Sequence, residues 1–237
     1  MRKHVYGMFV VSLIFLSGCW GIEEAERMDY VHGIVVDYKF RHVYVSLQVV
    51  NLGNLGEAET GGGSSEGNQA VIAKGKGDTV SDAVFEIYES TQRRLFWGHL
   101  TIVLVTEEAL KHNKMKDIMD LMDRYRETRY RILVFATQDE NVDKLFEATP
   151  VFDGSPVYTR LTDIANTYEQ SSWIKELSMR EFLLDLKEPG YDTVIPAVTT
   201  TEEDWTSVEN TETMVKTVGV ALSYKDKFLG FITEEDV

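Results

Sequence analysis

Apolar and polar positions alternate cleanly from Val43 to Val50, with Val43, Val45, Leu47 and Val49 on one face. A period of two predicts a strand with one side turned to a core. Val31 to Asp37 predicts a preceding strand, and the polar piece Tyr38–His42 a hairpin loop between them. Ala70 to Ala73 starts a further strand. Leu100–Val105 and Tyr130–Thr137 are nearly continuous apolar runs, the mark of strands covered on both faces.

Elsewhere the spacing changes to three and four. Val80, Ala83, Val84, Ile87 and Tyr88 share a helix face, Thr79 and Asp82 form its capping signal, and Gln92–Arg94 would end it with cationic groups. Glu107–Tyr125 reads as one helix through Met115, Ile118, Met119, Met122 and Tyr125. Asn141–Ala148 is a short helix stopped by Pro150. Leu161, Ile164, Ala165 and Tyr168 form a stripe that predicts a helix over Val157–Tyr168. Ser178 and Glu181 make a capping box, after which Phe182, Leu183 and Leu186 face the core until Pro189-Gly190. Thr193–Thr200 is strand-like, and Pro196 places it at an edge or a bulge.

Gly53–Asn68 is rich in Gly, Ser, Glu and Thr and reads as a loop between neighbouring strands. Thr201–Glu212 is an acidic, Thr-rich connector. Thr213–Tyr224 and Phe228–Ile232 flank a turn at Lys225-Asp226-Lys227, and Thr233 with Asp236 resembles a helix start. An isolated hairpin is marginal alone. A C-terminal domain is therefore expected to begin at 213 and to be cut off at Val237. The alternative is that the hairpin completes the sheet of the region before it.

Chemistry begins at the amino terminus. Arg2, Lys3 and His4 precede a mostly apolar run, Val5–Leu16, too short for the roughly 20 residues of a spanning helix. Cationic head and short apolar run read as an export signal. Leu16-Ser17-Gly18-Cys19 resembles a bacterial lipobox. That resemblance implies cleavage before Cys19 and diacylglyceryl and acyl groups on it. Cys19 is the single cysteine of the chain, so no intrachain disulfide exists. Residues 1–18 are then the signal peptide, and 19–212 an N-terminal region.

Charge narrows the partners. The chain carries a net −15, and loss of Arg2 and Lys3 leaves 22 basic against 39 acidic side chains. Such a body is repelled by nucleic acid and by anionic lipid, which need clustered Lys and Arg. Two acyl chains hold a protein stably where one does not. Of five histidines, none has HExxH spacing, and no second cysteine exists to bind zinc. His99, at the mouth of the Leu100 strand, is expected to bond nearby backbone. Gly75–Thr79 lacks the Walker and dinucleotide spacings, and no G-x-S-x-G or SxxK nucleophile occurs. Arg124, Arg126, Arg129 and Arg131 form the one basic knot, with Glu127 inside it. Two readings stand for it: internal ion pairing, or a docking patch for an acidic partner. The residues yield an acidic, α/β, membrane-tethered extracytoplasmic protein in which no pattern of a catalyst, cofactor or metal site is found.

Several stretches together resemble the Ger(x)C family, the lipoprotein C subunits of spore germinant receptors. They are Gly18-Cys19-Trp20 with Glu23 and Glu24, Gly33–Asp37, Leu95-Phe96-Trp97-Gly98-His99-Leu100 with Glu107-Glu108, Arg124–Arg129, and Gly219-Val220-Ala221 through Lys225, Gly230 and Glu234-Glu235. Arg124, Glu127 and Arg129 match the family's Arg-Asp-Pro-Glu-apolar-Arg motif, whereas Tyr125 and Arg126 replace its Asp-Pro. Gly21 replaces an acid and Val35 a glycine. The resemblance implies an α+β fold of mixed sheets and packed helices in several domains. It also implies lipid attachment outside the spore inner membrane, beside two integral membrane receptor subunits, one of them transporter-like. The competing reading is a solute-binding lipoprotein of an uptake system, with two lobes around a cleft.

Overall fold

A computed structural model describes residues 28–50, 70–148, 161, 169, 173–202, 204, 213–224, 227–233 and 236. The lipobox, the 53–68 loop, most of the 157–168 helix and most of the 201–212 connector lie outside them. The strands are β1 (Met28–Lys39), β2 (His42–Val50), β3 (Ala70–Gly77), β4 (Arg94–Phe96), β5 (Ile102–Thr106), β6 (Leu133–Thr137), β7 (Asp192–Thr201), β8 (Met214–Tyr224) and β9 (Lys227–Thr233). The helices are α1 (Val80–Ser90), α2 (Glu107–Lys111), α3 (Met115–Arg124), α4 (Asp143–Glu147) and α5 (Met179–Lys187), and a 3-10 turn lies at Trp97–His99.

The nine strands among the described residues share one mixed sheet in the order β3-β2-β1-β5-β6-β7-β8-β9, and β4 pairs with β1 off that path. Strands β1, β5, β6 and β7 run parallel, flanked by antiparallel β2–β3 and β8–β9. This is the α+β class implied by the resemblance. The two continuous apolar runs are explained by the layers. Val103 and Val105 of β5 join the core under α1, α2, α3 and α5. Ile102 and Leu104 join the opposite core, which Leu145 and Phe146 of α4 cover. A strand buried from both sides has no polar face to show.

Both capping boxes form: Thr79 accepts from the Asp82 N–H, and Ser178 from that of Glu181, with each carboxylate reaching back. The predicted Glu107–Tyr125 helix is broken in two. Asn113 adopts a left-handed φ of 55°. Its N–H donates to Leu110 O, and that of Lys114 to Ala109 O, the paired bonds of a Schellman stop. Helix α1 ends before the expected cations. The Ser90 and Thr91 hydroxyls bond the Ile87 and Tyr88 carbonyls, and Arg94 opens β4 instead. The loop at 38–42 shrinks to a two-residue turn, Phe40-Arg41, both with positive φ.

Pro196 lies in an interior strand, not at an edge, and the register shifts beside it between Ala197 and Val198. Parallel contact between β6 and β7 reduces to Ala136 opposite Ala197 there. Strand β8 pairs with β7 from Met214 to Tyr224. The sheet thus runs on through the position at which a new domain is expected.

Gly75 sits where β3 meets α1, and a Cβ there would lie 2.0 Å from the Ala83 carbonyl oxygen. Gly75→Ala is expected to lower the urea midpoint by about 1–3 kcal/mol of stability, the usual cost of overpacking. His32 is buried between Gln48 Oε1 at 2.8 Å and Thr101 Oγ1 at 2.9 Å. Burial, only partly offset by the Gln48 bond, holds its pKa below the ordinary 6.5. The unfolded chain therefore binds the extra proton first, and stability present above pH 6.5 falls as pH drops below it. Urea midpoints between pH 7.5 and 5 are expected to fall more steeply for wild type than for His32→Gln.

Candidate functional site

Two sequence signatures meet in space. Strand β4 lays Arg94, Leu95 and Phe96 beside Met28, Asp29 and Tyr30 of β1. The next turn swings Trp97 inward, where it is 1% exposed. Its indole stacks on Tyr125, with ring centroids 4.8 Å apart and planes 20° from parallel. Trp97 Nε1 donates to the Tyr88 hydroxyl at 2.9 Å, and the Tyr88 and Tyr125 hydroxyls share a bond of 2.5 Å. A Cβ on Gly98 would meet the Phe96 ring at 2.5 Å, so only glycine turns the chain there without displacing that ring.

The second signature begins at the last residue of α3. Tyr125 N–H closes on Met122 O, and Thr128 donates its N–H and hydroxyl to Tyr125 O. Tyr125 carries the contact between the signatures. Burial first, and then the Tyr88 hydroxyl, push its phenol well above the ordinary pKa, so it remains a neutral donor.

Between α1 with β4 on one side and the 124–127 turn on the other lies an open groove of about 510 Å³. Arg93, Arg94, Arg124 and Arg126 line it, with Glu127 as its one acidic group. Glu127 pairs loosely with Arg94, Nη2 to Oε1 3.7 Å. A partly exposed pair at that distance is worth little. Arg124 and Glu127 thus come together, and Arg93 and Arg94 join them from the segment expected to cap α1. Arg129 faces another way. Desolvation first, and then the charge of Arg129, hold the His99 pKa below its ordinary value. Among the described residues the His99 ring bonds no backbone group; it packs edge-on against Tyr30 at 4.9 Å and near Phe96 at 5.8 Å.

Among the described residues, Arg124, Arg126, Arg129 and Arg131 make no ion pair, no His, Cys, Asp and Glu cluster fits a metal, and no helix is long and apolar enough to cross a membrane. Leu16, Ser17, Gly18 and Cys19 lie outside those residues. The sequence signals that pointed to the groove were the Arg124–Arg129 motif and the Phe96–His99 motif. Nothing in their spacing disclosed that Arg93 and Tyr88 complete it.

A family described as the spore germination protein N-terminal domain matches residues 21–200. The chain belongs to this family. Within it, spore germination protein KC of Bacillus subtilis (strain 168) is 25% identical over 240 residues, covering 97% of this chain and 58% of that protein. YfkR of the same organism is 23% identical over 243 residues, covering 99% and 60%. Spore germination protein B3 is 21% identical over 145 residues, covering 61% and 37%. The chain therefore spans about three fifths of the length of the first two. No solved structure matches it. The spore germination domain covers both signatures that meet at Trp97 and Tyr125.

The Trp97 N–H has no route to water, so Tyr88 is its needed acceptor. Tyr88→Phe is expected to cost about 1–3 kcal/mol, the penalty of a buried unsatisfied donor. Tyr125→Phe keeps the Trp97–Tyr88 bond and should cost less. Denaturant midpoints of the two variants, measured side by side, check the order.

Proposed function

We propose that this chain is a lipid-anchored, non-enzymatic subunit of a spore germinant receptor, required for nutrient-triggered germination. The observation that carries the reading is the family match from residue 21, two positions after Cys19 in its lipobox setting. The diacylglyceryl and acyl groups on Cys19 hold the body on the outer face of the spore inner membrane. Two integral membrane subunits, one transporter-like, are its partners there. A net charge of −15 supports acyl attachment over electrostatic adhesion, because anionic lipid repels such a surface.

Cys19→Ala is expected to move the protein from the membrane fraction to the soluble fraction and to abolish nutrient-triggered germination. Spores that carry the soluble variant and germinate with wild-type kinetics would sink the reading.

A further inference from the structure

We infer that the arginine groove between α1, β4 and the 124–127 turn docks an acidic peptide segment of a partner protein. Three features of the groove favour this occupant.

First, charge is concentrated where the rest of the chain lacks it. Against a net −15, four guanidiniums converge on one groove with a single carboxylate. Arg93, Arg124 and Arg126 meet no carboxylate among the described residues, so their donors are available to a ligand. Arginine forks match carboxylates in a two-bond geometry that lysine lacks. An acidic segment approaching this body is repelled across most of the surface and attracted here, which fixes both place and orientation.

Second, shape and lining suit a short peptide. About 510 Å³ is far more than one carboxylate fills. The arginines come from two segments, 93–94 and 124–126, on opposite walls. Leu95 and the Tyr88 and Tyr125 rings lie among them, a surface for an apolar side chain between acidic ones.

Third, proton counting leaves a donor over. Tyr88 O accepts from Trp97 Nε1, and one hydroxyl hydrogen joins Tyr88 to Tyr125. Two phenols own two hydroxyl hydrogens, so one remains. Both hydroxyls sit on tyrosines that line the groove, and no other acceptor among the described residues takes it. A carboxylate in the groove accepts it directly.

The full chain is titrated against a fluorescein-labelled peptide of alternating Glu and Leu, with fluorescence anisotropy as the readout. The same peptide with Gln for Glu, inorganic phosphate and phosphatidylglycerol vesicles are run in parallel. Arg93→Glu with Arg124→Glu is expected to weaken the acidic peptide about tenfold or more. Lys116→Glu with Lys187→Glu, charge-matched and outside the groove, is expected to stay within about twofold. Both arginines are exposed, and urea midpoints report that each variant is folded. Binding of the Glu peptide with this arginine dependence, and not of the Gln peptide, supports the inference. Absence of binding to wild type overturns it, as does equal weakening by the lysine pair. Arginine-dependent binding of phosphate or vesicles without the peptide overturns it in favour of a phosphate or lipid site. Peptide binding only after Glu23, Glu24 and Glu26, the carboxylates that follow Cys19 in the sequence, are changed to Gln overturns it in favour of that acidic stretch of the chain itself. Failure of the receptor assignment would leave all of these outcomes unchanged.

Discussion

Strand β1 is the constraint on which the other elements depend. It is buried from Tyr30 to Asp37. A strand so placed has to satisfy every backbone N–H and C=O through neighbours, because water cannot reach them. Strand β2 does this on one edge, while β5 and β4 divide the other edge end to end. That division has a local result. Where β4 lets go, the chain turns through Trp97 and β5 takes over. The arginine groove is built on the switch of partners along a single strand edge. Polar side chains follow the same rule: buried Asp37 accepts from the Thr106 hydroxyl at 2.6 Å, and Thr106 also caps α2.

Much of the fold was legible because its signals are local. Alternation in β2, the unbroken apolar runs of β5 and β6, and the Thr79 and Ser178 boxes each depend on a few adjacent residues. The break in the 107–125 helix was also local, since Asn113 can occupy the left-handed stop. It was hidden because apolar three-four spacing resumes at Met115 and gives no sign of a changed axis. Of the two positions open to Pro196, an edge or a bulge, the structure takes the bulge. Proline lacks an N–H and so excludes an ordinary ladder, but a register shift beside it lets an interior strand tolerate the gap.

The site was half legible. Motif resemblance marked Phe96–His99 and Arg124–Arg129, and nothing in one dimension says that Trp97 lies flat on Tyr125. Arg93 and Arg94 were assigned to a helix end because cations suit a C-terminus. Hydroxyls at Ser90 and Thr91 perform that closure instead, which releases the guanidiniums to the groove. Family membership and groove chemistry bear on different questions. Membership rests on residues 21–200 as a whole, whereas the groove depends on a few side chains, Arg93, Arg94, Arg124 and Arg126.

Strand order has a consequence for assembly during synthesis. Strands β1, β2 and β3 are antiparallel neighbours and can pair as soon as each is made. On the inner edge of β1, Gly33–Val36 must wait for β5, about seventy positions downstream. Until then a long, apolar strand stands with half its backbone bare, the kind of template that recruits other unfinished chains. A chaperone that shields this edge would act in the interval between the third strand and the fifth.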